Sequence, residues 1–293
     1  MKKVPSTCEQ ERTQRRRVVI TLAHHNQLSM RHNATPASSS DALFSITQHA
    51  LIASSLAEHL LLYLIFYGTA AVFALNRTSP LRSLRFGKLS PPWPTIRHEL
   101  RYGFGSILIA SLYDAAIRWD VETRAGYTRV DPQMSFSRNS QLVLWILCAA
   151  LLAEAHFFWT HRMLHAVPFL YRHVHKVHHE SHDPNPLSGL SFHPVESAIY
   201  FSSVLLGVVL LPMSIPLYNA WRIALFLFPI LGHCGLGSQS PGSSYSALRP
   251  LHMIAHYHYV HHTKVHCNYG GFPLWDMICG TTYEDWRGRE KCR

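Results

Sequence analysis

The pattern of apolar and polar positions divides the chain into a polar N-terminal part and several long apolar stretches. Residues 1–48 show no sustained periodicity and include three consecutive arginines at 15–17, which is typical of a disordered basic tail. We therefore place a domain boundary after residue 48 and assign residues 49–293 to one domain.

Four apolar regions in this domain predict membrane-spanning helices. About 20 apolar residues in a helix cross a hydrocarbon layer of roughly 30 Å. Two prolines near the middle of the last region, Pro212 and Pro216, divide it into the two helices of a hairpin. We expect an all-α integral membrane protein with four to five transmembrane helices, of which the second is the weakest candidate. The regions lie at 56–75, 103–118, 141–159 and 197–233.

The charges of the connecting loops predict which side of the membrane each segment faces. The loop at 77–101 carries six basic residues against the single acid Glu99, and an excess of positive charge marks a cytosolic loop. The loop at 119–140 is balanced in charge and is expected in the lumen. Counting spans from these loops places the tail in the lumen, and residues 160–196 and 233 onward together in a cytosolic cap.

Composition excludes several classes of protein. The formal net charge is +10, but the basic residues are scattered and form no basic face with interleaved aromatics, so nucleic-acid binding is not expected. None of the six cysteines forms a CxxC pair, which argues against a zinc ribbon or a disulfide framework. No GxSxG, GxGxxG or P-loop motif is present.

Histidine is the unusual residue of this chain. Sixteen of the 22 histidines fall between His156 and His266, all within the predicted cap or at its edges. Residues four apart on a helix share a face, and in an HxxHH motif the last two histidines flank the first on either side, so one motif can reach two metal ions. Three motifs have this character: HRMLH (His161, His165), HKVHH (His175, His178, His179) and HYVHH (His258, His261, His262).

These eight imidazoles exceed what one tetrahedral ion needs and suit two metal ions. Neutral imidazole binds iron, zinc and copper alike, so the ligand type does not select the metal. A metal transporter would place its ligands inside the spans along a pathway, and a haem protein would use paired histidines within a bundle. The histidine motifs of this chain lie beyond the ends of the predicted spans, which favours neither a transporter nor a haem protein. Isolated histidines are read as core or surface residues: His24, His25, His32, His49, His59 and His98.

The motifs and their surroundings resemble the fatty acid hydroxylase/sterol desaturase superfamily of integral membrane di-iron oxygenases. The resemblance covers roughly residues 80–285, and its histidine-rich core is 141–285. It is carried by "EAHFFWTHRMLH", "HHESHDPNPLSGLSFHPVE", "GHCG" and "HYVHHTKVHCNYGGFPLWDMICGT". The first of these has Glu154 where the family more often has Asp.

The resemblance implies two iron ions, dioxygen as co-substrate, and electrons from an external donor of the cytochrome b type. It also implies that Glu154, Glu196 and Asp276 support the ligands, since metal-bound histidines usually donate to a carboxylate or carbonyl. His156, His173, His182, His252, His256 and His266 are expected to play supporting or no roles. The implied ligands are His161, His165, His175, His178, His179, His193, His233, His258, His261 and His262.

The stretch "DPNPLSGLSFHP" resembles lathosterol oxidase relatives more than sterol methyl oxidases. The resemblance therefore favours desaturation of a sterol, with hydroxylation of a fatty acyl or sphingoid lipid as the alternative. The implied location is the endoplasmic reticulum in a eukaryote or the inner membrane in a bacterium.

Overall fold

The computed structural model describes residues 39–75, 91–134, 139–235 and 249–291. By its internal contacts the chain divides into residues 1–49 and 50–293. Most of the expected tail, including His24, His25 and His32, lies outside the described residues, although the first helix begins at Ser39.

Helices account for nearly all of the described chain, and the predicted all-α class is confirmed. The strands within the described residues are two short ones, β1 (Val130–Asp131) and β2 (Met213–Ser214), which pair in parallel. The helices are α1 (Ser39–Leu62), a π-helical segment (Tyr63–Gly68), α2 (Thr69–Leu75), α3 (Trp93–Thr123), α4 (Asn139–Ala166), α5 (Pro168–Leu170), a second π-helical segment (Tyr171–His175), α6 (Lys176–His179), a 3₁₀ helix (Pro186–Leu190), α7 (Pro194–Leu210), α8 (Ile215–His233), α9 (Arg249–Lys264), α10 (Leu274–Cys279) and α11 (Tyr283–Lys291).

Among the described residues, three helical stretches are long and apolar enough to cross a membrane: Thr47–Val72, Gln141–Ala166 and Ile215–His233. The shorter helix α7 is apolar but falls below that length. The chain is therefore an integral membrane protein, as the apolar regions predict. The weak region at 103–118 lies inside α3, which does not qualify as a span by composition.

The predicted hairpin is present. Helix α7 ends at Leu210 and α8 begins at Ile215, so the break falls between Pro212 and Pro216. A proline in the first turn of a helix loses nothing, since its missing N–H has no partner there. The register Val130↔Met213 joins the turn of this hairpin to the connection between α3 and α4.

Helix α3, with 31 residues, contacts different segments of the chain at its two ends. Near its start, Glu99 accepts hydrogen bonds from the Ser181 hydroxyl at 2.8 Å and from the Asn185 amide at 2.9 Å. Near its end, Asp120 accepts from the backbone N–H of Tyr127 and of Thr128, just before β1. The start of α3 therefore contacts the segment after the second histidine motif, and its end contacts the connection that leads to β1.

Ionic and hydroxyl groups inside the bundle explain why α3 looks weakly apolar. Asp114 accepts from the Ser55 hydroxyl at 2.7 Å, from the Arg118 Nε at 2.8 Å and from the Tyr218 hydroxyl. Arg118 also pairs with Glu58. Charges buried among helices are tolerated when they are paired in this way, so the network joins α1, α3 and α8.

The apolar core is built from the faces that these helices turn toward one another. Its fully buried members include Tyr67, Ile107, Val208 and Phe226. The Tyr67 hydroxyl donates to the Phe226 carbonyl at 2.9 Å, so this fully buried ring also has its polar atom satisfied. This packing fixes the ends of α4 and α8, from which part of the site is built.

Candidate metal centre

The structure gathers nine of the ten implied ligands into two groups at one end of the helix bundle. In each group the candidate ligand atoms all lie within 4.8 Å of one another. We call them the five-histidine group and the four-histidine group. The five-histidine group contains His161, His165, His175, His179 and His261, and the four-histidine group contains His178, His233, His258 and His262.

Each HxxHH motif contributes rings to both groups. In the second motif, His175 and His179 lie four residues apart on one face and join the five-histidine group, while His178 turns to the other. In the third motif the division is reversed: His258 and His262 join the four-histidine group, and His261 joins the five-histidine group. The two groups are therefore neighbours that share the same short helices.

The ring nitrogens of the five-histidine group face one another at close range. The Nε2 of His165 lies 2.9 Å from the Nε2 of His175, 3.1 Å from that of His261 and 3.2 Å from that of His179. The Nε2 of His161 lies 3.1 Å from that of His175. All of these rings present the same atom to a common centre.

The four-histidine group is arranged in the same way around His233. The Nε2 of His233 lies 3.1 Å from that of His262, 3.3 Å from that of His178 and 3.3 Å from that of His258. His262 and His258, one helical turn apart on α9, approach to 3.1 Å through the same atoms.

The other nitrogen of several rings is held by an acceptor, which fixes the tautomer. The Nδ1 of His161 donates to the Tyr269 carbonyl at 2.6 Å, and the Nδ1 of His233 donates to the Pro229 carbonyl at 2.8 Å. The Nδ1 of His261 donates to the Cys267 carbonyl at 2.8 Å. Since a carbonyl only accepts, these Nδ1 atoms carry the hydrogen and each Nε2 presents a lone pair.

This donor set fits a pair of metal ions. Lone pairs facing one another at 2.9–3.3 Å repel unless a cation lies between them. With metal–nitrogen bonds of about 2.0–2.1 Å, two imidazoles on one ion have nitrogens about 3 Å apart, which matches these separations. Imidazole nitrogen suits iron, zinc or copper ions.

Burial keeps the rings in the form that binds metal. Outside the spans, burial and the neighbouring rings hold the pKa of His178, His179, His258 and His262 well below the usual value for histidine. The pKa of His261 is lowered for the same reason. These rings are neutral at physiological pH, and a neutral imidazole is the ligand form.

The three implied carboxylates act at different distances from the histidines. Glu196 accepts from the Nδ1 of His175 at 2.8 Å and so orients a ring directly. Asp276 accepts from the backbone N–H of Tyr269 at 2.9 Å and thereby holds the carbonyl that anchors His161. Glu154 contacts no ring of the two groups; it accepts from the Phe272 N–H at 3.0 Å.

The turn after the third motif needs its small residues. A side chain at Gly271 would place its Cβ 2.4 Å from the Phe228 ring and 3.0 Å from the Glu154 carboxylate. At Gly270 the Cβ would lie 2.5 Å from the Phe272 carbonyl oxygen. Asn268 adopts a left-handed conformation with φ of 58°, which asparagine tolerates better than most residues. The turn can therefore press against α4 and α8.

His193 belongs to neither group. It caps the start of α7, where its Nδ1 accepts from the Val195 N–H at 3.2 Å. His156 also lies apart and pairs with the Ser202 hydroxyl at 3.0 Å. His98 contacts the second motif, because its ring lies 3.3 Å from the Val177 carbonyl and 3.4 Å from the Glu180 carboxylate.

Sequence reasoning missed Glu99, which holds the segment that follows the second motif. Its carboxylate is buried, which raises its pKa, while hydrogen bonds from Asn185 and Ser181 act in the opposite direction. The one available signal was that Glu99 is the only acid in a basic loop. A count of the charges in the loop at 77–101 gives no indication that Glu99 contacts the segment after the second histidine motif.

A cavity opens beside both groups and is lined mainly by aromatic rings. Phe157, Phe192, Tyr200 and Phe228 form its apolar wall, and histidines of both groups form the other side. A second cavity between α4, α7 and α8 shares Phe157, Tyr200 and Phe228 with the first. The space beside the histidines therefore lies next to an apolar space among the helices, with these three rings at the boundary.

The fold and the site together describe an integral membrane protein with two neighbouring histidine groups, each of which could hold a metal ion. A family model described as fatty acid hydroxylase matches residues 146–281, which include all nine gathered histidines. This match supports the resemblance of the histidine-rich part to the fatty acid hydroxylase/sterol desaturase superfamily that the sequence motifs carry. No solved structure matches the chain.

Individual relatives share this part of the chain. It is 28% identical over 142 residues to a putative Delta(7)-sterol-C5(6)-desaturase 2 of Arabidopsis thaliana, covering 47% of this chain and 48% of the relative. It is 31% identical over 138 residues to methylsterol monooxygenase 1 of Gallus gallus, covering 45% and 44%. It is 33% identical over 132 residues to a probable Delta(7)-sterol 5(6)-desaturase of Neurospora crassa, covering 43% and 35%. The chain spans about half the length of these relatives, or less.

Proposed function

We propose that the protein is a membrane-bound di-iron oxidoreductase that uses dioxygen to desaturate or hydroxylate a lipid, with a sterol as the preferred substrate. The observation that carries the proposal is the pair of buried histidine groups beside an apolar cavity. The relatives named as sterol desaturases and methylsterol monooxygenases support the choice of a sterol.

The five-histidine group would hold one iron ion and the four-histidine group the other. His193 was implied as a tenth ligand, and its place at the start of α7 supports a capping role instead. Bound iron supplies the activation of dioxygen that breaking an unactivated C–H bond requires. The choice of iron over zinc or copper rests on the family, since imidazole alone does not decide it.

The chain's own residues bind the substrate and keep water away from it. Phe157, Phe192 and Phe228 offer an apolar wall that accepts a lipid ring system or chain. The carbonyl groups of Tyr269, Pro229 and Cys267 hold rings of the site through their Nδ1 atoms, so the ligand side of the cavity stays fixed while substrates enter and leave.

The overall reaction requires two electrons from outside the chain. In desaturation, dioxygen, two electrons and two protons remove two hydrogens from adjacent carbons and leave two waters. In hydroxylation, the same reagents insert one oxygen atom into a C–H bond and leave one water. We propose a cytochrome b-type electron donor at the cytosolic face, with the protein in the endoplasmic reticulum of a eukaryote or the inner membrane of a bacterium.

A histidine-rich metal transporter is the competing function of another class. A transport pathway needs ligands at successive depths of the membrane. Here both groups lie at one end of the bundle, where α4 and α8 end. Hydroxylation of a fatty acyl or sphingoid lipid remains the alternative within the same class.

The experiment is expression in cells that lack lathosterol oxidase, followed by mass spectrometry of the extracted lipids under ¹⁸O-labelled dioxygen. Desaturation is expected, which gives a sterol product lighter by two hydrogens and free of label. A product with one labelled oxygen would establish hydroxylation instead. Unchanged lipids with every electron donor, together with metal movement across the membrane, would overturn the proposal in favour of transport.

A further inference from the structure

One acceptor atom in the cavity is left without a partner. Glu196 lies on α7 with 6% of its side chain exposed, and its Oε1 accepts from the Nδ1 of His175 at 2.8 Å. Its Oε2 is buried and has no hydrogen-bond partner among the described residues. The residue also lines the cavity beside the two histidine groups. A buried carboxylate oxygen left unpaired is costly, so a group that donates to it would be bound selectively.

Several other polar groups that line the cavity are already engaged. The Tyr200 hydroxyl, one turn along α7, donates to the Leu225 carbonyl at 2.7 Å. The His233 and His161 rings donate through Nδ1 to backbone carbonyls and turn their Nε2 atoms toward the ligand groups. Glu196 Oε2 is therefore a buried acceptor with spare capacity, in a side chain that lines the cavity.

The shape of the cavity indicates how a ligand would lie. Glu196 lines the cavity that the histidines also line, and the second cavity lies beyond the shared rings of Phe157, Tyr200 and Phe228, between α4, α7 and α8. A lipid with a single polar end would place that end at Glu196 and its apolar body along the second cavity. The carbons within a few bonds of the polar end would then lie beside the metal groups.

We propose that the free carboxylate oxygen of Glu196 accepts a hydrogen bond from a hydroxyl group of the lipid, and that this contact sets which carbon reacts. The proposal rests on the proposed function and deepens it. A sterol carries its hydroxyl at C3, only two bonds from C5, and the relatives include enzymes named for the C5(6) position. A hydroxyl held at Glu196 would bring that part of the ring system to the histidines.

The test is equilibrium binding of three ligands to the purified, metal-loaded protein in lipid nanodiscs. The ligands are lathosterol, its 3-ketone and its 3-deoxy analogue, each competed against a radiolabelled sterol. A hydrogen bond to a buried acceptor that is otherwise unpaired is expected to favour the hydroxyl form by about 10- to 100-fold over both analogues. In Glu196→Gln, the amide oxygen can still accept from His175 while the amide N–H₂ faces the cavity, so the preference over the ketone should fall to about one or reverse.

A matched control is Ser203→Ala, which removes a polar group that lines the second cavity, where Ser203 donates to the Tyr200 carbonyl. This variant should keep the hydroxyl preference. Metal content is measured for every variant, because a role limited to orienting His175 would change metal content and leave the ranking of the ligands intact.

The outcomes separate this inference from the function on which it rests. If the wild-type protein binds and modifies lathosterol but discriminates by less than about threefold, the role of Glu196 is overturned and the function stands. The role of Glu196 is also overturned if Glu196→Gln keeps both its metal content and the wild-type preference for the hydroxyl ligand. It is likewise overturned if Ser203→Ala loses that preference. If no sterol binds at all, both the sterol assignment and the role of Glu196 are overturned.

Discussion

The hydroxyl of Tyr200 donates a hydrogen bond of 2.7 Å to the backbone carbonyl of Leu225. Proline at position 229 has no N–H, so the Leu225 carbonyl lacks the donor that a regular helix would supply. Tyr200 provides that donor from the neighbouring helix α7. The pair therefore joins the two arms of the hairpin at the wall of the cavity.

Replacing Tyr200 by Phe should lower the free energy of unfolding by about 1–2 kcal/mol, because the Leu225 carbonyl would stay buried without a partner. Thermal unfolding in detergent would measure this. Tyr127→Phe is a suitable control, since the Tyr127 side chain is 74% exposed. Equal melting temperatures for both variants would show that Tyr200 contributes only its ring.

Loss of a ligand from either histidine group should lower metal content. The purified protein should carry about two metal ions per chain, as the number of imidazoles suggests. His178→Ala and His261→Ala, one from each group, should each lower that number and abolish activity. Metal analysis by mass spectrometry would measure the content of each variant.

The control for these variants is His173→Ala, since His173 is exposed in the same segment and belongs to neither group. His98 is less suitable, because it contacts the second motif through Val177 and Glu180. Active protein with one ion or none would contradict the assignment of two metal positions.

Alanine at Gly271 should destabilise the protein, because its Cβ would lie 2.4 Å from the Phe228 ring. Forcing a methyl group into packed surroundings costs about 1–3 kcal/mol. Gly288→Ala is the matched control: nothing lies within 4 Å of its Cβ position in helix α11, so it should be neutral or slightly stabilising. Calorimetry would compare the melting temperatures of the two variants. Similar melting temperatures would mean that the turn shifts to accommodate the methyl group at little cost in stability.

The position of α3 predicts which face of the membrane each loop reaches. A cysteine at Gly126, beyond the end of α3, should react with a membrane-impermeant maleimide only from the lumenal side. A cysteine at exposed His182, near the histidine groups, should react only from the cytosolic side. With the loop at 77–101 in the cytosol, reaction of Gly126 from the cytosolic side and of His182 from the lumenal side would mean that α3 does not cross the membrane, whereas reaction of both from one side would mean that α4 does not cross.

The sequence predicts the helices of this protein better than it predicts which helices contact one another. Prolines at 212 and 216 were sufficient to divide the hairpin, because a missing N–H acts locally whatever the surroundings. Likewise, the spacing of His175, His178 and His179 fixes which rings share a helix face. Both features depend only on residues that are close together in the sequence.

Contacts between distant segments were not accessible from the pattern. Spacing alone does not reveal that His261 lies with His165 while its neighbour His262 lies with His233, because that division depends on how α9 packs against α4 and α8. The motif around His193 resembles a ligand position, yet the ring caps α7. Similarly, the partner of Glu154 is the N–H of Phe272, far along the chain.

The division of each HxxHH motif between the two histidine groups has a consequence for how the protein is assembled in its membrane. The four-histidine group needs His233 from the end of the hairpin, whereas the five-histidine group needs only α4, the second motif and α9. A chain whose hairpin has not inserted would therefore keep most of the five-histidine group but lack one ring, His233, of the four-histidine group. If both groups hold metal ions, newly made protein should therefore fill the five-histidine group first and the four-histidine group only after the hairpin has inserted.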